Sequence, residues 1–347
     1  MKGKKIFRVA LIGTDSLRGK EIKSILSVKR FPLTQIEFFD PDVDEEYSKL
    51  TQFQDEPKAI RHPDAGSLEG LDLVFLASDE RTNRTFGRLA AAKKFQAVDL
   101  AATFNAEEDV PLIVAGVNDQ ILAAKHFHLI ANPHPVTIIL SSLFDRLGRK
   151  FGLSRAIAFV LQPVSAFEES GIEELASQSA ALLSSSALKK NVFKQQIAFN
   201  LLSHTEAPDA GGFSSEERRI AAEIKRVLAV PGFPLSLSLV QATIFHTYAI
   251  MVYVELAAAA RIEDLARLYR ASPFFQVGPA TAACPVTPIS VAGKESIFIG
   301  QIKKEEALPN AFWIWTVTDN LTRGSALNAW EIAKILFQRK PHDRSSS

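Results

Sequence analysis

Short apolar runs alternate along the first part of the chain with segments whose apolar residues recur at helical spacing. Lys5 to Ile12 reads as a buried strand. The loop Gly13-Thr14-Asp15-Ser16-Leu17-Arg18-Gly19 follows, and it leads into a helix carrying Ile22, Ile25 and Leu26 on one face. Further strands are expected at Thr34 to Phe39, ending in Asp40, and at Leu71 to Ala77. Strands alternating with helices argue for a parallel, doubly wound α/β sheet. Farther on, Leu129 to Ala131 reads as a strand end and Ile138 to Leu147 as a helix. Asn132 to Thr137 then form a strand-to-helix turn, a place where enzymes commonly mount a nucleophile.

In the second half, Phe159 to Val164 reads as a strand and Gly171 opens a helix. Pro208 to Ser215 is rich in Pro, Gly, Asp and Ser and reads as a loop, with Ser214 or Ser215 placed to cap a helix over Glu216 to Lys225. The tail from Arg339 is polar and expected to fray.

The 347 residues suffice for two domains, each with its own core. With 40 basic and 39 acidic residues the chain has no electrostatic footprint for nucleic acid or an anionic membrane. No apolar run is long enough to span a bilayer, and Met1 to Lys5 leads into a strand instead of a signal-peptide core, so a cytoplasmic location is expected. The single cysteine, Cys284, excludes an intrachain disulfide and a multi-thiolate metal site, and no metal is expected.

The turn Asn132-Pro133-His134-Pro135-Val136-Thr137 resembles that of the aspartate-semialdehyde dehydrogenases, which reads Asn-Pro-Asn-Cys-Ser/Thr-Thr and carries the nucleophilic cysteine. Asn132, Pro133 and Thr137 match, and the cysteine falls on Pro135. The resemblance runs from Val9 to about Leu336. It includes Val98 to Asn105, Val110-Pro111-Leu112, Gly116-Val117-Asn118, Leu161 to Ser165, Ile197 to Leu202, Ile299 to Lys303 and Asp319 to Ala329. It implies a Rossmann-type NAD(P)-binding domain over 1–131 with a returning C-terminal helix at 322–347. An α+β dimerisation domain with a mostly antiparallel sheet is implied over 132–321.

Several functional positions of the family depart here. Its Gly-x-x-Gly-x-x-Gly loop keeps Gly13 and Gly19 but has Ser16 between them, and Asp15, Asp79 and Glu80 add negative charge where a pyrophosphate is expected unless Arg81 or Arg84 intervenes. Asp40 is placed to bind an adenosine ribose, or else to be a solvated strand-end acid. Asn320 and Gly324 fall in the loop that touches the nicotinamide. The arginine that holds the substrate's anion falls on Asn105, and the one that grips its carboxylate falls on Gln241. Gln162, the substrate-orienting glutamine, is kept. Arg219 replaces a lysine at an anion-binding position and reads equally well as part of an ion-paired helix face.

The acid/base histidine falls on Tyr248. His246 precedes it by two positions, which on a strand would share its face, and reads either as a substitute base or as a packed residue. Cys284, in a proline-bounded segment, reads as an inert thiol or as a relocated nucleophile. With nucleophile, acid/base and both arginines replaced together, a dimeric binding or interaction module without the family's NADP-dependent chemistry is expected. The expectation is that no cofactor binds well, NAD or NADP being the candidates. The alternative is an NAD(P)-dependent oxidoreductase with a relocated site using Gln162 and His246.

Overall fold

The structure, a computed structural model, describes residues 7–44, 49–278 and 285–338. The chain divides into two compact units, Met1–His134 with Ser325–Ser347, and Pro135–Gly324. Each crossing thus lies three residues beyond the one expected from the sequence, at 134 against 131 and at 324 against 321.

The first unit holds β1 (Phe7–Ile12), β2 (Leu33–Phe39), β3 (Lys49–Phe53), β4 (Glu56–Arg61), β5 (Leu73–Leu76), β6 (Gln96–Asp99) and β7 (Leu129–Ala131). They form one sheet in the order β3-β4-β2-β1-β5-β6-β7, parallel except for the β3–β4 hairpin at its edge. β1 and β5 are buried almost throughout, as parallel strands covered on both faces must be. Helix Leu17–Val28 buries Ile22, Ile25 and Leu26, and helix Leu327–Gln338 adds Ala329, Ile332, Ala333 and Leu336 to the same core.

The second unit holds β8 (Leu153–Gln162), β9 (Leu201–Leu202), β10 (Leu235–Ala242), β11 (Tyr248–Leu256), β12 (Phe275–Val277), β13 (Ile297–Lys304) and β14 (Ala311–Thr318). Their order is β12-β13-β14-β11-β8-β10-β9, with β8–β10 and β12–β13 parallel and the remaining pairs antiparallel. Helices Pro135–Phe151, Ser215–Val227 and Ile262–Arg270 cover one face, packing Leu140, Ile220, Ile224 and Leu265 on Val160, Leu239, Ile250 and Ile314. The helix expected from Glu216 is opened by a capping box of Ser214 and Glu217. The opposite face presents Ile157 and Phe159, 46% and 45% exposed.

Among the described residues no helix is long and apolar enough to cross a membrane, and no three His, Cys, Asp or Glu side chains are grouped to hold a metal ion. Cys284 and the tail from Arg339 lie outside the described residues.

Candidate functional site

In the first unit the glycine loop joins β1 to helix Leu17–Val28. Gly13 has φ +88°, and a Cβ there would collide with the backbone of Ala77 and Ser78. A Cβ on Gly19 would strike the carbonyl of Gly13, so both glycines are required by the close approach of helix, loop and β5. Ser16 caps the helix: its hydroxyl accepts from the Gly19 N–H at 2.9 Å and lies 2.8 Å from the Ala77 carbonyl oxygen, to which it donates. The Gly19 donor is thereby taken up by the chain itself.

The neighbouring acids are engaged as well, Glu80 by the Arg84 that the sequence offered as a counter-charge. Asp15 pairs with Lys49 from the β3–β4 hairpin, and Glu80 pairs with Arg84 at 3.0 Å. Asp79 caps helix Glu80–Gly87. Burial pushes the Asp79 carboxyl up, but hydrogen bonds from Thr82, Ser78 and the Arg81 amide together hold it below the ordinary aspartate value. Asp40 is buried, not solvated. Its carboxylate accepts from the Asp15 N–H at 3.0 Å and the Asp42 N–H at 3.2 Å, bracing the loop.

At the end of β6, Asp99 accepts from the amides of Ala101 and Phe104 and shapes the loop that ends in buried Asn105. Burial pushes its carboxyl up to about 6, against which backbone hydrogen bonds from Ala101, Phe104 and Thr103 and the charge of Arg18 act. Asn132 and Asn328 hydrogen-bond to one another at 2.7 Å, and Asn328 also accepts from Ala115 and donates to Ile113. These asparagines secure the strand side of the turn.

In the second unit Pro135 opens helix Pro135–Phe151, three residues before the predicted start. Proline suits a first helical position, because its φ is already helical and its absent N–H has no partner in the helix. An added Cβ on Gly324 would lie 3.0 Å from the Pro135 Cβ, so the two residues pack directly together. Asn320 is held among Ser165, 3.1 Å from its Nδ2, and the Thr247 N–H, 2.9 Å from its Oδ1.

Tyr248 begins β11 and is buried in the apolar core with Ile250 and Val252. Thr247 before it has φ +80°, a backbone that a glycine would accept and a β-branched residue resists. His246 lies half-buried in the loop between β10 and β11, not on a strand as its spacing suggested.

Strand register gathers the remaining residues. Gln241 pairs with Gln162, Leu161 with Ala249, which sets Tyr248 beside Gln162, and Tyr248 with Thr318. Side-by-side residues share a face, so Gln241, Gln162, Tyr248 and Thr318 form a polar row under the helices. The Gln162 amide donates to Glu216 at 3.5 Å, Arg219 lies 3.4 Å from Glu216 and 4.0 Å from Glu223, and the Thr137 hydroxyl donates to Glu223 at 2.7 Å. Both sequence readings of Arg219 meet here, since its ion pairs along the helix lie over the row. Glu216, Glu223 and Thr318 carried no functional signal in the sequence, because their place at the row depends on strand order and helix packing.

The family model described as semialdehyde dehydrogenase, NAD binding domain, matches residues 8–125, and that described as semialdehyde dehydrogenase, dimerisation domain, matches residues 140–323. The chain belongs to this family. It is 27% identical over 340 residues to the aspartate-semialdehyde dehydrogenase of Rickettsia bellii, covering 96% of this chain and 98% of that one. It is 25% identical over 338 residues to that of Bacillus subtilis, covering 94% and 96%. Aspartate semialdehyde dehydrogenase II of Vibrio cholerae, complexed with ASA, shares the fold with a TM-score of 0.90 at 24% identity, covering 96% of this chain and 98% of that one. The Candida albicans enzyme with NADP does so with a TM-score of 0.70 at 16% identity, covering 96% and 98%. The two-domain α/β architecture read from the sequence is that of these proteins.

Proposed function

We propose that this member of the semialdehyde dehydrogenase family does not carry out phosphorylating aldehyde oxidation and acts as a dimeric binding module. The observation that carries the reading is Pro135, packed on Gly324 at the head of its helix. A proline ring has no atom able to attack a carbonyl carbon. Tyr248 adds to this, since a core phenol is a poor proton shuttle near neutral pH.

The glycine loop does not fit a dinucleotide pyrophosphate as it stands. Ser16 fills the approach to the helix terminus and takes the Gly19 donor, while Asp40 is engaged with loop amides. Dimerisation is supported by the family match and by the sheet face opposite the helices. There Ile157 and Phe159 stand beside Met251 and Tyr253, with the Arg155–Glu255 pair at 3.3 Å on the rim. Sedimentation of the purified chain should give a dimer, and Phe159→Glu should give a monomer.

The catalytic test is phosphate-dependent oxidation of aspartate semialdehyde with NAD or NADP. No turnover is expected from the purified chain or from Pro135→Cys, because Gln241 and Asn105 lack the charge an arginine supplies. Turnover by the unaltered chain that disappears in His246→Ala or Cys284→Ala would replace this reading with a relocated-site oxidoreductase.

A further inference from the structure

The polar row of the second unit has hydrogen-bonding capacity that the fold leaves unused. The Gln241 amide nitrogen donates to the carbonyls of Gln162 at 3.0 Å and Ala242 at 3.3 Å. Two carbonyls at one end of the group fix its orientation, so Oε1 faces away from them. The side chain is 2% exposed, and Oε1 has no partner in the protein. Native folds rarely leave such an acceptor unmatched, since a buried polar atom stripped of water and given no partner loses its hydration energy uncompensated.

Above the row, Arg219 Nε is a buried donor without a hydrogen-bond partner, while the guanidinium stands between Glu216 and Glu223. The site therefore offers one open acceptor and one open donor against a background of two carboxylates and one guanidinium. A carboxylate ligand would set acceptor against acceptor at Gln241 and negative charge against Glu216 and Glu223. An ammonium ligand would give Arg219 Nε–H nothing to donate to. A carboxamide satisfies both, its N–H donating to Gln241 Oε1 and its carbonyl accepting from Arg219.

We propose that the strand-end row formed by Gln241 and Gln162, with Arg219 above it, binds a small uncharged ligand through a primary carboxamide. The assignment rests on reading this protein as a binding module and supplies the ligand class for it. The Thr318 hydroxyl, buried and also without a partner, extends the polar row beyond the amide subsite on β14.

The test is calorimetric titration of the full chain with succinamide and, separately, with succinate. Saturable binding of succinamide and none of succinate is expected. Gln241→Met, of similar volume but without the acceptor, should weaken succinamide binding at least about tenfold, as loss of a hydrogen bond to a buried partner does. Because Gln241 is buried, Arg219→Gln serves as the second variant. Arg219 is 38% exposed, and the change is expected to weaken succinamide without unfolding the chain. Preference for succinate, failure of succinamide to bind, or unchanged binding in a folded Gln241→Met variant would each overturn the assignment. Aspartate semialdehyde oxidation on the same preparations separates the two levels. Turnover removes the binding-module reading, whereas no turnover together with a preference for succinate removes the ligand class alone.

Discussion

The glycine loop of the first unit and the polar row of the second both lie at the carboxyl ends of parallel strands, where α/β proteins place their ligands. They differ in what their polar groups face. In the loop, Ser16 satisfies Gly19, Asp40 satisfies Asp15 and Asp42, and Asp99 satisfies Ala101 and Phe104, so these donors and acceptors are matched within the chain. In and above the row, Gln241 Oε1, the Thr318 hydroxyl and Arg219 Nε are buried without hydrogen-bond partners. On the proposed reading, a site that has closed on its own polar groups is scaffold, and one with open groups retains the means to bind.

The largest effect expected in the closed region is a pH dependence centred on Asp99. Its folded carboxyl is raised from 3.8 to about 6, so the folded state holds a proton that the unfolded chain has released between these values. Its contribution is therefore most favourable below pH 3.8 and is lost as pH rises through 6, a change of about 3 kcal/mol. Asp99→Asn cannot titrate. Urea unfolding of both proteins should show the wild-type stability falling relative to the variant by up to that amount between about pH 4 and pH 7. A constant difference would mean that Asp99 is hydrated and the region less closed than its hydrogen bonds indicate.

In the open region, Thr137→Val should cost about 2 kcal/mol, the typical value of a hydrogen bond to a charged group, because buried Glu223 loses the Thr137 donor. Thermal unfolding measures it. A neutral result would show that water replaces the hydroxyl and that the row is wetter than its burial implies.

Ser16→Gly tests whether the loop is closed by this one side chain. Removing the hydroxyl releases the Gly19 N–H, and affinity for NAD or NADP should rise about tenfold, or 1.4 kcal/mol, in calorimetric titration. Micromolar affinity in the wild type would dissolve the contrast between the two regions.

Much of the first sheet was legible because doubly covered parallel strands read as apolar runs, as Val9 to Ile12 and Leu73 to Leu76 do. The β3–β4 hairpin was not. Its strands are mostly polar, Pro57 lies within β4, and its turn uses Gln54 and Asp55 at positive φ where glycine would have announced it. Neither sequence reading of Asp40 included its bracing of the loop, because its partner amide at Asp15 is reached only when β2 lies beside β1. Gln241, Gln162 and Tyr248 could be named singly, but not Thr318 beside them, nor their adjacency. That depends on β8 standing between β10 and β11, a strand order no local pattern encodes.

The smallest effect concerns Thr247, at the edge of the open region. It is a buried, β-branched residue at φ +80°, and its hydroxyl has no partner. Such a backbone costs about 1–3 kcal/mol for a residue other than glycine, offset in part by the greater flexibility that glycine gives the unfolded chain. Its N–H donates to Asn320 whichever side chain it carries, so that contact survives replacement. Thr247→Gly should therefore stabilise the protein by about 1 kcal/mol, read as a rise in the midpoint of thermal unfolding. If the hydroxyl instead takes part in the open network, the same change will lower the midpoint and weaken succinamide binding. In that case Thr247 joins Thr318 as a group held in reserve for the ligand.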